Sequence, residues 1–121
     1  MKTIAIVEDN PDNRLLLTAM LEEHFALEEY TTGPDALAGL RAKPADLVLL
    51  DISLPEMDGP EVLRHLRRDP AFGARPVVAL TAHAMAGDRE RFIALGFDEY
   101  LSKPIVDEQQ LIAMIERCLG A

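Results

Sequence analysis

The sequence predicts an α/β fold in which a parallel sheet of five strands is covered by helices on both faces. Short apolar runs of strand length alternate five times with segments whose apolar residues recur at helical spacing. Strands and helices that alternate in this way form parallel sheets with two buried faces. A length of 121 residues is enough for one hydrophobic core. We therefore expect a single domain over residues 1–121, without a separate output domain.

The strands are placed at the apolar runs and the helices between them. The runs are TIAIV at 3–7, ALEEY at 26–30, LVLL at 47–50, PVVAL at 76–80 and EYLS at 99–102. The helices are expected from Pro11 to about Glu23, Pro34 to about Ala42, Pro60 to about Arg68, about Met85 to Leu95, and after Asp107. Proline is favoured at the first helical position, so Asn10, Gly33 and Gly59 are the expected caps of the first three helices.

Charge and composition exclude several classes of function. The net charge of −9 argues against direct binding of nucleic acid, because contact with phosphates needs clustered Lys and Arg. Arg64, Arg67 and Arg68 are expected on the solvent face of the third helix. No membrane-spanning run or signal sequence is present, so we expect no membrane contact. The lone Cys118, read as a packing residue, suits a reducing, cytoplasmic location.

Polar side chains stand at the carboxyl ends of four predicted strands. Glu8 and Asp9 follow the first strand, Asp51 the third, Thr81 the fourth and Lys103 the fifth. The second strand ends in Tyr-Thr-Thr, which is typical of an outer strand. Since the carboxyl ends of parallel strands meet at one edge, these side chains should lie together.

Such a cluster favours the chemistry of a phosphoryl group. Three close carboxylates repel one another unless a positive charge lies among them. Mg²⁺ meets this need, because it takes one or two carboxylates and keeps waters and phosphate oxygens as its other ligands. Asp51 can act as a nucleophile and form an acyl phosphate. Thr81 and Lys103 could then each bind a phosphoryl oxygen.

These motifs, in this order, resemble the receiver domains of bacterial two-component response regulators. The motifs are IVEDN at 6–10, LLDISLPEMDG at 49–59, ALTAHA at 79–84 and YLSKP at 100–104. The resemblance implies a flavodoxin-like (βα)5 three-layer sandwich with strand order 2-1-3-4-5. It also implies that Asp51 accepts a phosphoryl group from a phosphohistidine of a sensor histidine kinase or a histidine phosphotransfer protein.

The resemblance further implies roles for single residues. Asp9 and Asp51 correspond to direct ligands of Mg²⁺, or of Mn²⁺ in its place. Glu8 corresponds to a ligand through water, and Ser53 to one through its backbone carbonyl. Thr81 and Tyr100 correspond to the switch pair, although a tyrosine near a strand end is often only packing.

Three further expectations concern the loops around the site. The Lys103–Pro104 bond corresponds to a cis peptide of the family. Ser53 and His83 occupy the positions that tune phosphate lifetime, and a histidine there could either screen or orient the attacking water. Asn13 and Arg14 are read either as contacts for a partner or as plain helix surface. Glu56 and Asp58 are expected to be solvated.

The output is expected on the face of the fourth helix, fifth strand and fifth helix, where a downstream effector protein binds. Met85, Ala86 and Ile105 are candidate exposed apolar contacts there, although Met85 and Ile105 are equally read as core residues. The domain is expected to catalyse its own phosphorylation and dephosphorylation rather than to be an enzyme. Two alternatives stay open: a pseudo-receiver that binds partners without phosphorylation, and a metal-dependent phosphohydrolase that uses the same aspartyl phosphate.

Overall fold

Strands and helices alternate along the chain in the computed structural model, which describes residues 1–82 and 85–120. The strands are β1 (Thr3–Val7), β2 (Ala26–Tyr30), β3 (Leu47–Asp51), β4 (Val77–Thr81) and β5 (Glu99–Ser102). The helices are α1 (Pro11–Leu21), α2 (Gly33–Ala42), α3 (Gly59–Arg68), α4 (Asp88–Leu95) and α5 (Glu108–Cys118). All neighbouring strands pair in parallel, in the order β2-β1-β3-β4-β5. The predicted fold and strand order are confirmed.

The sheet separates two hydrophobic cores, which makes the domain a three-layer structure. Side chains of a strand alternate between the two faces, so Ala5 and Val7 join one core whereas Ile4 and Ile6 join the other. The first core contains apolar residues of α2, α3 and α4, and the second contains those of α1 and α5. Every residue of β3 and β4 is buried, because both faces of these central strands are covered.

Side-chain caps begin four of the helices. Asn10 accepts hydrogen bonds from two backbone N–H groups of α1, as predicted. The helices α2 and α3 begin one residue earlier than predicted, because Thr32 and Asp58 are their caps. Capping by Gly33 and Gly59 was therefore wrong, and Asp58 has a structural role at an exposed position. Asp107 caps α5 through the N–H of Gln110.

Helix α4 begins three residues later than predicted. Gly87 has a φ of 85°, a left-handed conformation that interrupts a helix. The buried Asp88 closes the preceding turn, since its Oδ2 accepts a hydrogen bond of 2.7 Å from the N–H of Met85. The prediction that the helix starts near Met85 was wrong because it ignored this glycine.

Arg67 was expected to face solvent, but it joins three segments at the amino-terminal end of β4 and β5. Its guanidinium donates to the carbonyls of Gly73, Arg75 and Gly96 at 3.3, 2.6 and 3.1 Å. It also donates to Asp98 Oδ2 at 2.9 Å, and the same oxygen accepts from the N–H of Val77. We call this group the Arg67 bracket. Arg64 and Arg68 are exposed, as predicted.

In the part of the chain covered by residues 1–82 and 85–120, no helix combines the length and the apolar character that crossing a bilayer requires.

Replacing Arg67 should destabilise the domain more than replacing its neighbour Arg64. Arg67→Ala leaves three carbonyls without this donor and Asp98 without its ion pair, so we expect the free energy of unfolding to fall by about 2 kcal/mol. Arg64→Ala removes only an exposed pair with Glu61 on the same helix and should cost less than about 0.5 kcal/mol. Urea unfolding followed by circular dichroism measures both. Equal losses would contradict a structural role for the bracket.

Candidate functional site at the carboxyl edge of the sheet

An open cavity of about 500 Å³ lies at the carboxyl ends of the strands. Its lining comes from the ends of β1, β3, β4 and β5 and from the first turn of α1. The lining residues are Glu8, Asp9, Asn10, Asn13, Asp51, Ala82, Lys103 and Pro104. The parallel sheet therefore brings together residues such as Glu8 and Lys103, which are 95 positions apart in the chain.

Three carboxylates meet in this cavity. One carboxylate oxygen from each of Glu8, Asp9 and Asp51 lies within 4.8 Å of the other two. Glu8 is fully buried and Asp51 is 3% exposed, whereas Asp9 is open to solvent. Ionised carboxylates are rarely buried without a partner, so this cluster requires positive charge nearby.

Lys103 supplies that charge to both buried acids. Its Nζ lies 2.9 Å from Glu8 Oε1 and 3.2 Å from Asp51 Oδ2. The backbone N–H of Lys103 donates to the carbonyl of Thr81, and the following peptide bond to Pro104 is cis. Lys103 thus links the ends of β1, β3 and β4.

The ionisation of Glu8 and Lys103 reflects the same contacts. Burial raises the pKa of Glu8, and the hydrogen bond and negative charge of Asp51 raise it further against the opposing effect of Lys103. Burial alone would lower the pKa of Lys103, but its hydrogen bond to Glu8 and the charges of both acids outweigh burial and raise it. Lys103 therefore stays an ammonium at neutral pH.

Two contacts hold Asp51 in place. Its Oδ1 accepts a hydrogen bond of 2.9 Å from the N–H of Ser53. The N–H of Ile52, the residue that follows Asp51, donates to the carbonyl of Leu80 in β4. Gly59 packs directly behind this turn. A Cβ at Gly59 would lie 2.6 Å from Ile52 Cα and 2.8 Å from the Asp51 carbonyl oxygen, so only glycine fits there.

The first turn of α1 holds Glu8 from the other side. The N–H of Asn10 donates to Glu8 Oε2 at 3.2 Å, and the Asn13 amide donates to Oε1 at 3.4 Å. Arg14 Nη1 donates to the backbone carbonyls of Glu8 and Asp9 at 2.9 and 3.2 Å. The sequence left the roles of Asn13 and Arg14 open. Their signal was their place on the helix turn that follows the acidic pair.

Thr81 and Tyr100 occupy different surroundings. Thr81 is buried and follows Leu80, the register partner of Asp51, at the end of β4. Tyr100 is partly buried against the first core, and its ring centroid lies 5.7 Å from that of Phe92 in α4. The switch role of this pair stays a prediction.

The positions expected to tune phosphate lifetime are described only in part. Ser53 is exposed two residues after Asp51, and its carbonyl as a metal ligand stays a prediction. His83 lies outside the described residues.

The expected output face carries exposed apolar residues, and they include two of the three candidates. Met85 is 72% exposed and Ala86 is also exposed, whereas Ile105 is buried in the second core. Of the two alternatives for Ile105, an exposed contact or a core residue, the core one is confirmed, because its side chain packs with apolar residues of α5. Val106, its neighbour, is 81% exposed. A cavity of about 280 Å³ between β5 and α5 is lined in part by Ile105 and Val106.

The donor set fits a magnesium ion. Mg²⁺ prefers oxygen ligands, binds proteins through one or two carboxylates and retains several waters. Glu8, Asp9 and Asp51 offer such oxygens, and the open cavity leaves room for waters and a phosphate group. The described residues of this cluster include no histidine or cysteine, which zinc or iron sites commonly use.

The fold and this acidic edge together define a flavodoxin-like domain with its site at the switch in strand order. The profile of the response regulator receiver domain matches residues 4–116. The chain therefore belongs to the response regulator receiver domain family.

Its relatives include both single response regulators and parts of kinases. The chain is 41% identical over 120 residues to the polar-differentiation response regulator DivK of Brucella ovis, covering 98% of this chain and 97% of DivK. It is 39% identical over 108 residues to the signal transduction histidine-protein kinase BarA of Escherichia coli. That match covers 88% of this chain but only 12% of the kinase.

A solved relative has the same architecture. The receiver domain of a sensor histidine kinase from Pseudomonas aeruginosa superposes with a TM-score of 0.89 at 32% identity. The superposition covers 99% of this chain and 98% of that domain. The Pseudomonas structure holds a magnesium ion coordinated in its active-site cleft.

Removing the ammonium of Lys103 should destabilise the domain in a pH-dependent way. In chelator, we expect Lys103→Gln to lower the free energy of unfolding by about 2 kcal/mol at about pH 7.5. Glu8 then loses the partner that favours its ionised form, so its pKa rises further. As pH falls through that raised pKa, Glu8 is protonated and the deficit should shrink by about pH 5.

Urea unfolding at the two pH values tests this prediction. Lys43→Gln is the matched control, because Lys43 is exposed and lies 3.9 Å from Glu28 at a distant surface. It should change the free energy of unfolding by less than about 0.5 kcal/mol at either pH. A Lys103→Gln deficit that does not change with pH would show that carboxylate repulsion is not its cause.

Proposed function

We propose that this domain accepts a phosphoryl group on Asp51 from a phosphohistidine and thereby switches its binding to a partner protein. The observation that carries the proposal is the buried Asp51 carboxylate, with Lys103 Nζ at 3.2 Å, at the base of an open cavity. Buried strands on both sides fix the carboxylate, while the cavity leaves it accessible to a phosphodonor.

The transfer needs an aligned nucleophile and stabilisation of the phosphoryl oxygens. An Asp51 carboxylate oxygen forms the new P–O bond, and the P–N bond to the donor imidazole breaks with its electron pair remaining on the imidazole nitrogen. Lys103 pairs with one phosphoryl oxygen, and the Thr81 hydroxyl bonds to another. A bound Mg²⁺ would neutralise developing charge on the phosphoryl group, held by Asp9 and Asp51, by Glu8 through water and by the Ser53 carbonyl. The protein modifies its own side chain, so the reaction is self-catalysed and not enzymatic turnover.

The relatives support this class of phosphodonor. Kinases such as BarA and GacS contain a segment similar to this chain, and DivK is a response regulator of nearly the same extent. A sensor histidine kinase or a histidine phosphotransfer protein is therefore the proposed donor. Leu15 and Leu16 are exposed on α1, two and three residues after Asn13, which lines the cavity. They offer apolar contact area for such a partner.

We place the readout on the face of α4, β5 and α5. Tyr100 lies within β5, and its ring contacts that of Phe92 in α4. Motion of Thr81 toward a phosphoryl group would leave space into which this ring can turn. Such a turn would change the cavity that Tyr100 and the exposed Val106 both line, which an effector protein would read.

Acetyl phosphate with Mg²⁺ tests the assignment of Asp51. We expect the wild-type mass to rise by one phosphoryl group and Asp51→Asn to show no gain. Asp58→Asn is the matched control, because asparagine also caps helices and the change lies outside the cavity lining. It should be phosphorylated like the wild type. Excess chelator should abolish the gain in every variant while the circular dichroism spectrum stays unchanged.

The same samples separate the two alternatives. A gain that survives Asp51→Asn would refute Asp51 as acceptor, and no gain in the wild type would favour a pseudo-receiver. Hydrolysis of p-nitrophenyl phosphate at more than about one turnover per second would favour a phosphohydrolase. The proposed function requires one phosphoryl group per chain and no such turnover.

A further inference from the structure

We infer that Arg14 is a positioning residue for the acidic pair Glu8-Asp9 and that it sets the affinity of this site for Mg²⁺. The inference rests on the proposed function, since it concerns the same metal site. Its basis is a contact that the family-level roles do not include: one guanidinium nitrogen of Arg14 bonds two consecutive backbone carbonyls, those of Glu8 and Asp9.

These carbonyls lie in the short link between β1 and α1. Strand β1 ends at Val7 and α1 begins at Pro11. Among the described backbone hydrogen bonds of this link, none runs to the carbonyl of Glu8 or Asp9. Arg14 therefore provides the hydrogen bonds to both carbonyls, and the peptide between Asp9 and Asn10 is held in addition by the Asn10 N–H, which donates to Glu8 Oε2.

The orientation of these peptides determines where the carboxylates point. Glu8 has additional support from Lys103, Asn10 and Asn13. The exposed Asp9 carboxylate accepts no hydrogen bond from any described residue. The direction of the Asp9 carboxylate thus depends on the backbone of Asp9. Arg14 holds that backbone, since its Nη1 donates to the Asp9 carbonyl at 3.2 Å.

The guanidinium is suited to this task in a way that an ammonium is not. It is planar and presents several N–H donors in a fixed geometry, so it can hold two acceptors at once. The side chain is only 21% exposed, and its Nε lies 3.8 Å from Glu29 in β2. Helix α1 and strand β2 therefore confine Arg14 beneath the acidic pair.

Two accounts of Arg14 predict opposite changes in metal affinity. If Arg14 acted only through its positive charge, its removal would strengthen Mg²⁺ binding, because a cation near the site repels the metal. If Arg14 positions the acidic pair, its removal weakens binding. Loss of groups that orient metal ligands commonly costs about 10–100-fold in affinity, so the sign of the change distinguishes the two accounts.

Isothermal titration of MgCl₂ into three proteins provides the test. Arg14→Met keeps an unbranched, helix-compatible stem but has no donor, and it should bind Mg²⁺ about tenfold more weakly than the wild type. Glu29→Gln is the matched control, since it removes the ion pair of Arg14 and leaves the carbonyl bonds intact. It should stay within about twofold of the wild type.

A second readout excludes a merely structural effect. Partial unfolding of Arg14→Met would lower the number of binding sites, whereas misplaced ligands raise the dissociation constant with the number of sites unchanged. Phosphorylation by acetyl phosphate should accordingly need about tenfold more Mg²⁺ in Arg14→Met and reach the wild-type maximal rate. Arg14→Lys, which keeps the charge, should remain weaker than the wild type.

Each outcome decides the inference. Equal or tighter Mg²⁺ binding by Arg14→Met, with normal binding by the wild type, overturns the positioning role and leaves the proposed function standing. Full recovery by Arg14→Lys also overturns it, because the contact of the planar guanidinium with two carbonyls would then not be what sets the affinity. Absence of Mg²⁺ binding by the wild type overturns both proposals.

Discussion

The structure depends on one electrostatic arrangement: two buried carboxylates and an ammonium that lies within hydrogen-bond distance of both. Glu8 and Asp51 have almost no contact with water, so their charges are tolerated only through Lys103 and the surrounding N–H groups. None of these residues is near another in sequence. A parallel sheet with its helices on both faces is what brings them to one edge and holds them there.

The burial of the central strands turns a flexible acidic side chain into a fixed one. β3 and β4 are covered on both faces, and Asp51 is the last residue of β3. Gly59, the first residue of α3, packs so closely behind the backbone of Asp51 and Ile52 that the start of this helix supports the end of β3. The helix α1 does the same for Glu8 through its first turn. The site therefore rests on two strand-to-helix connections: the start of α1 contacts the Glu8 carboxylate, and the start of α3 packs against the backbone of Asp51.

Much of this could be predicted because local signals and topology agree. Apolar runs of strand length predicted the strands. The polar residues that follow these runs predicted that Glu8, Asp9, Asp51 and Lys103 lie together at one edge of the sheet. Errors arose where the outcome depends on which of several neighbours makes a contact. Thr32 and Asp58 replaced the glycines as caps because their side chains reach backbone N–H groups. Arg67 was misplaced because Gly96 and Asp98, two of its acceptors, lie 29 and 31 residues away.

The Arg67 bracket gives the two ends of the sheet different mechanical properties. At the amino-terminal end, one side chain joins the loop before β4 to the loop before β5, including the glycine that ends α4. At the carboxyl end, the exposed residues Ala82, Met85 and Ala86 have no comparable cross-link to another described residue. A disturbance that starts beside Asp51 would therefore meet a fixed pivot at the far end of α4. The helix would swing about its own last turn, with the largest displacement at its first residue, Asp88.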